Sequence, residues 1–215
     1  MAFTNTSPMM VPTRAKKGLL GTNPLSLGAP GQNDDSFVLD MATTSIALGK
    51  CEVKEKRGLP LPSGWAFDKD GQETHTYKTL AGLFPLGGTE ENSGYKGYGL
   101  GMLVEVMCGI LSGGDFGPHV RTWRTHDKPA NLGQCFIAIN PENFGDGFTG
   151  RMQELIDACR NLEPADKDPV LIAGDPERIH QSLCDKSGGI PYHPNQINIS
   201  SDLARRYNVT PMKPL

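Results

Sequence analysis

The chain has no pair of cysteines at metal-site or redox-motif spacing. Cys51, Cys108, Cys135, Cys159 and Cys184 are odd in number and far apart. That argues against a thiolate zinc centre and reads most simply as reduced thiols in a cytoplasmic protein. The five histidines show neither H-x-x-x-H nor H-E-x-x-H spacing, so no metal is expected. No G-x-S-x-G turn is present, which leaves hydrolase chemistry without a motif. No apolar run could span a bilayer: the nearest approach, Tyr98 to Leu111, is short and broken by Glu105. The first residues, Met-Ala-Phe-Thr-Asn-Thr-Ser-Pro, lack the basic and apolar regions of a secretory signal. An excess of positive charge is also missing. With 21 Lys and Arg against 24 Asp and Glu, the net charge of −3 provides no field for a polyanion, and neither nucleic acid nor a membrane is an expected partner.

What the chain has in quantity is turn formers, 26 Gly and 17 Pro in 215 residues. Residues 1–36 and 57–88 are punctuated by them and read as short strands, loops and irregular surface. Phe37-Val38-Leu39 reads as a strand leading into a helix junction at Asp40–Ser45. After a loop Ser93–Gly97, apolar residues at Leu100, Leu103, Val104, Met107, Ile110 and Leu111 follow helical spacing and predict a buried helix. Gln134–Ile139 reads as a strand, Arg151–Arg160 as a helix with Met152, Leu155, Ile156 and Cys159 inward, and Val170–Ala173 as a further strand. Asp175 reads as the N-cap of the next helix, with Pro176 at its first position. A last helix is expected after Ser200 or Ser201. No repeat or linker marks an internal boundary within residues 1–215.

Four places could carry chemistry. Gly145-Asp-Gly147-Phe-Thr-Gly150 matches G-x-G-x-x-G between a strand and a helix. Five residues intervene before its first glycine, however, and Asp146 would set a negative charge against a pyrophosphate. Gly94-Tyr-Lys96-Gly97-Tyr-Gly99 opens the strongest helix, where amides, helix dipole and ammonium could converge on one anion; a close-packing turn with a solvated lysine explains it equally. Asp40-Met41-Ala42-Thr43-Thr44-Ser45 is a polar cluster at a strand end, serving either a ligand or a helix cap. Gly174-Asp175-Pro176 could hold ribose hydroxyls or simply cap a helix. Glu105, inside the apolar helix, is either a partnered core carboxylate or part of a polar seam.

Taken in order, seven segments resemble one family. They are Phe3-Thr-Asn-Thr-Ser-Pro8, Gly21-Thr-Asn-Pro24, Leu39-Asp-Met-Ala-Thr-Thr44, Leu61-Pro-Ser-Gly-Trp-Ala66, Pro85-Leu-Gly-Gly88, Tyr95-Lys-Gly-Tyr-Gly-Leu100 and Val170-Leu-Ile-Ala-Gly-Asp-Pro176. Together they are similar to the malate/L-lactate dehydrogenases of the second type, a group that includes ureidoglycolate and sulfolactate dehydrogenases. The resemblance implies an α/β fold with a mixed, largely antiparallel, helix-flanked sheet unlike the Rossmann fold. It implies hydride transfer between NAD, or alternatively NADP, and a small 2-hydroxy or 2-oxo acid, in a homodimer. Cofactor contacts carry over to Thr6, to Asp40, Met41 and Ala42, to Lys96, and to Gly174, Asp175 and Pro176, and the Gly145–Gly150 match becomes a decoy. The family's catalytic histidine, in a Ser-His-Gly segment with a following arginine, precedes the Thr4–Pro8 strand. By resemblance the chain is N-terminally incomplete and holds no identifiable catalytic residue, so it is expected either to lack turnover alone or to be a non-catalytic nucleotide-binding or dimerisation module.

Overall fold

A computed structural model describes residues 1–213. The chain folds as two compact units, Met1–Ala158 and the residues from Cys159 onward. In the first unit, β1 (Ala2–Thr4), β2 (Leu25–Pro30), β3 (Ser36–Met41) and β7 (Gln134–Phe136) form a fully antiparallel sheet in the order β3-β2-β1-β7. The registers put Phe136, Ala2, Ser26 and Asp40 in one row across the four strands, and Cys135, Phe3, Leu25 and Met41 in the next. Because side chains alternate along a strand, these rows face opposite sides of the sheet.

The second row is the covered one. Phe3, Val104 and Cys108 form a buried cluster with Leu25, Met107, Cys135 and Ile137, which packs α2 (Gly94–Glu105) and the π-turn after it (Val106–Ile110) against the sheet. α2 begins inside the segment expected as a loop, and its buried side is not the leucine face. Gly94, Gly97, Gly101, Val104, Glu105, Cys108 and Gly109 are buried, whereas Leu103 and Ile110 are each 47% exposed and Leu111 68%. The reason is steric. A β-carbon on Gly94 would collide with the Gly88 carbonyl, and one on Gly97 with the Leu86 backbone, so only glycine lets this helix approach the chain beneath it.

The stretch expected to be irregular after Arg57 holds a second, three-stranded antiparallel sheet in the order β5-β4-β6, of Glu73–Thr74, Ala66–Phe67 and Gly82–Leu83. Its strands have two residues each, too short for alternation to show in sequence. Against it lies a cluster of Cys51, Leu61, Ala66 and Leu83, with Ile46, Leu48 and Trp65 packed alongside and Cys51 supplied by α1 (Leu48–Lys56).

α3 (Phe148–Arg160) buries Ile156 but leaves the expected inward Leu155 58% exposed. In the second unit Val170–Ala173 is not a strand, because no neighbouring strand supplies a hydrogen-bonded ladder among the described residues; the expected β-α-β order is not formed there. α4 (Asp175–Ser187) is capped by Gly174 at φ +101°, not by Asp175. α5 (Pro194–Arg206) starts earlier than expected: His193 Nδ1 accepts from the Asn195 N–H at 3.2 Å, and Gln196 Oε1 accepts from the His193 N–H at 3.1 Å, closing a capping box. Ser200 and Ser201 instead sit inside the helix and donate to the Ile197 carbonyl. Among the described residues no helix is long and apolar enough to cross a membrane, and no cluster of three His, Cys, Asp or Glu could hold a metal.

Candidate nucleotide site

Five chain segments are linked in series at one side of the first unit. The Thr6 hydroxyl lies 3.2 Å from that of Thr22, and the Thr6 N–H donates to Asn23 Oδ1 at 3.0 Å. Thr22 in turn accepts at its carbonyl from the Thr43 N–H at 2.8 Å and the Thr43 hydroxyl at 3.0 Å, which brings the residues after β3 against the same loop. The Leu86 N–H donates to the Thr43 carbonyl at 2.9 Å, and Gly97 of α2 sits on Leu86. A relay of contacts through Thr22, Thr43 and Leu86 therefore links Thr6 and the strand end at Ala42 to Gly97, the residue after Lys96. Sequence separation hides this, since these positions span roughly ninety residues.

Lys96 is exposed, its Nζ 5.9 Å from the centroid of the Tyr95 ring. The helix start does not present a full set of amides to a ligand, because the Gly94 N–H donates to Thr89 O and the Lys96 N–H to Ser93 O, each at 2.9 Å. An anion here would be held chiefly by the ammonium, with the positive end of α2 behind it. Asp40 and Met41, adjacent in sequence, point to opposite sides of the sheet. Asp40 lies on the open face, in a cleft of about 240 Å³ with Thr4, Ser26, Gln134 and Phe136, while Met41 stands in the covered row beside Leu25. That volume is below the usual range for a drug-sized ligand, so the cleft has room for a small group only.

Gly174, Asp175 and Pro176 belong to the second unit. The Asp175 carboxylate is 8% exposed as a residue, and both of its oxygens are engaged. Oδ2 accepts from Arg160 Nε and from the Ile172 N–H, each at 3.0 Å, and Oδ1 accepts from Arg160 Nη2 at 2.6 Å and Arg178 Nη2 at 2.7 Å. The Arg160 fork foremost, and the Ile172 amide and Arg178 after it, hold this carboxyl well below the usual carboxylate range against the opposing effect of its burial. Of the two sequence readings of this acid, ribose ligand or helix cap, the side chain adopts neither here: the carboxylate organises two guanidinium groups. Gly174 gives Arg178 its place, since a β-carbon there would stand 2.8 Å from Arg178 Nη1.

The Gly145–Gly150 loop is filled from within. Arg151 donates to the carbonyls of Gly145, at 2.8 Å, and Asp146, so the turn presents carbonyl oxygens where a pyrophosphate cradle needs N–H groups. Four histidines have structural partners: His75 Nδ1 with Leu61 O at 2.9 Å, His119 edge-on to Phe116, His180 Nε2 with Cys184 Sγ at 3.5 Å, and His193 as a cap.

This architecture has close counterparts. The sequence profile described as malate/L-lactate dehydrogenase matches residues 1–199. The chain belongs to the malate/L-lactate dehydrogenase family. A malate dehydrogenase from Pyrococcus abyssi is 36% identical over 216 residues, covering 97% of this chain and 59% of that protein. The crystal structure of malate dehydrogenase from Entamoeba histolytica superposes with a TM-score of 0.85 at 29% identity, over 97% of this chain and 61% of the other. The chain thus spans about three fifths of the length of these family members. Two further relatives carry a cofactor in their names. One is the ureidoglycolate dehydrogenase (NAD(+)) of Escherichia coli K12, 36% identical over 75% of this chain and 45% of its own. The other is a (2R)-3-sulfolactate dehydrogenase (NADP(+)) of Chromohalobacter salexigens, 32% identical over 76% of this chain and 48% of its own.

The family's antiparallel, helix-flanked sheet is the one expected from the seven resembling segments. Sequence reading passed over Asn5, Asn23 and Arg160. The first two stand inside resembling segments beside Thr6 and Pro24, but buried amide networks leave no periodicity to find.

Proposed function

We propose that this chain is the nucleotide-binding portion of an oxidoreductase that takes a nicotinamide dinucleotide, NAD or NADP, and a small 2-hydroxy or 2-oxo acid, and that it works as a cytoplasmic homodimer. The observation that carries the reading is the relay of contacts through Thr22, Thr43 and Leu86 that ties Thr6 and the strand end at Ala42 to the first turn of α2, the turn that carries Lys96. A hydroxyl, a stretch of strand-end backbone and an ammonium are the donor set a ribose and a phosphate require. Bound there, the cofactor supplies hydride acceptance or donation at nicotinamide C4. Thr6 donates to or accepts from its polar groups, Lys96 neutralises phosphate charge, and Asp40 accepts from hydroxyl or carboxamide N–H in the open cleft. Met41, turned to the covered face, contributes through its main chain. Within the second unit, taken by itself, we assign the Gly174 and Pro176 backbone a nucleotide-binding role, with Asp175 ordering Arg160 and Arg178 beside it.

Titration of the chain with NADH and NADPH, followed by nicotinamide fluorescence, tests this. A charge-assisted hydrogen bond contributes about 1.5 to 3 kcal/mol, so Lys96→Ala should weaken binding about ten-fold or more. A wild-type chain that binds neither nucleotide, or a Lys96→Ala variant with an unchanged Kd, overturns the assignment. We also propose that residues 1–215 bind cofactor without supplying the proton donor for turnover, in keeping with the structural engagement of His75, His119, His180 and His193. Mixing the purified chain with NADH and pyruvate or oxaloacetate should give no loss of nicotinamide absorbance beyond the enzyme-free rate. Sustained oxidation would place a donor among these residues.

A further inference from the structure

We propose that Glu105 is a positioning residue for the cofactor corner: its buried carboxylate dictates the amide orientation of Asn23, and Asn23 in turn holds Thr6. The inference rests on the reading of Thr6 as a cofactor contact. Glu105 is 4% exposed, at the end of α2 where the π-turn begins. Its Oε1 accepts from Asn5 Nδ2 at 3.0 Å and from the Gly117 N–H at 2.8 Å, and its Oε2 accepts from Asn23 Nδ2 at 2.7 Å. All three partners are N–H donors, so the carboxylate acts solely as an acceptor.

An asparagine amide can turn over and exchange its oxygen for its nitrogen, and only its neighbours decide which end points where. Glu105 makes that decision for Asn23. With Nδ2 committed to Glu105 and to the Gly101 carbonyl at 3.0 Å, Oδ1 faces the Thr6 N–H and accepts from it at 3.0 Å. The Asn23 N–H closes the loop by donating to Thr6 Oγ1 at 3.3 Å. Asn5 is oriented in the same way, its Oδ1 accepting from the Gly133 N–H at 2.9 Å. Space leaves no slack for the corner to relax, because a β-carbon on Gly21 would collide with Thr6 Oγ1. Buried networks of this kind hold one arrangement only while every member is satisfied.

The decisive variant is Glu105→Gln. It has almost the same shape but replaces one acceptor with an NH2 donor, which faces the NH2 of Asn23 and forces that amide to turn its donor toward the Thr6 N–H. Adding Asn23→Asp restores two of the three side-chain contacts at position 23, with the same total charge: one oxygen takes the new side-chain NH2 at position 105 and the other the Thr6 N–H, while the Gly101 carbonyl loses its donor, so the rescue is partial. We expect Glu105→Gln to raise the NADH Kd about ten-fold or more and to speed deuterium exchange at the Thr6 amide, while Asn23→Asp combined with Glu105→Gln moves both back toward wild type. Melting temperature is measured alongside. A Glu105→Gln chain that melts earlier but keeps its Kd and a protected Thr6 amide shows a merely structural role and overturns the proposal. If Glu105→Gln fails to fold, the wild type and the double variant decide. A Thr6 amide in the wild type that exchanges as fast as an exposed loop, or a folded double variant with free exchange at Thr6, overturns it. A wild type that binds no NADH, with Thr6 exchange that still responds to Glu105→Gln, removes the cofactor reading alone and leaves the coupling between Glu105 and Thr6 standing.

Discussion

Asp175→Ala is expected to destabilise the second unit by about 2 to 3 kcal/mol. Removing one partner of a well-buried ion pair leaves the others uncompensated, at about 3 to 5 kcal/mol. The lower figure applies because the side chains of Arg160 and Arg178 keep 28% and 37% of their exposure, and solvent screens part of the field. The Ile172 N–H also loses its acceptor, which adds to the cost. Denaturant unfolding at neutral pH measures the difference. Its pH dependence identifies the cause. The folded Asp175 carboxyl titrates far below its unfolded value of about 4, so its stabilisation is fully present above that pH and is lost as pH falls further. The wild-type and Asp175→Ala stabilities should therefore converge under acid conditions. A constant gap from neutral pH down to strong acid would assign the effect to packing and not to charge.

Gly97→Ala should cost stability in a position where helix propensity alone predicts a gain. Ala is better than Gly in a helix interior by about 1 kcal/mol. At Gly97 the added methyl meets the Leu86 backbone, which no rotamer change can move aside, so the helix must lift from its bed at a net cost of about 2 kcal/mol or more. Gly99, two residues on in the same helix, has nothing within 4 Å of the place a β-carbon would take, and Gly99→Ala should raise stability by up to about 1 kcal/mol. Opposite shifts in melting temperature test the pair together. Since Lys96 rides on the first turn of α2, Gly97→Ala should also weaken NADH binding, whereas Gly99→Ala should leave it nearly unchanged. Two stabilising substitutions, or two destabilising ones, would refute the steric account.

Several elements are written locally and were legible. The strand through Phe37–Leu39, the strand at Gln134, the helix through Leu100 and Val104, and the Pro-led start at Asp175–Pro176 all rest on short-range spacing or turn chemistry. Other elements were displaced for stated reasons. The expected strand at Val170–Ala173 has apolar composition but no neighbour to pair with among the described residues, and strand formation is a property of two segments. The second sheet escaped notice because its two-residue strands carry no alternation.

The candidate site divides along the same line. The sequence by itself determined the family, through seven short segments in a fixed order, and with it the residues at Thr6, Asp40, Lys96 and Gly174 where a nucleotide is to be sought. Only the tertiary structure decided how these segments are placed and partnered. It turned Met41 away from Asp40, filled the Gly145–Gly150 loop with Arg151, gave both oxygens of Asp175 to Arg160, Arg178 and Ile172, and buried Glu105 between Asn5 and Asn23. The physical reason is common to all four. Turn chemistry and periodicity act between residues a few positions apart, whereas the facing of a strand, the filling of a loop and the satisfaction of a buried polar group depend on contacts that exist only once the chain has closed.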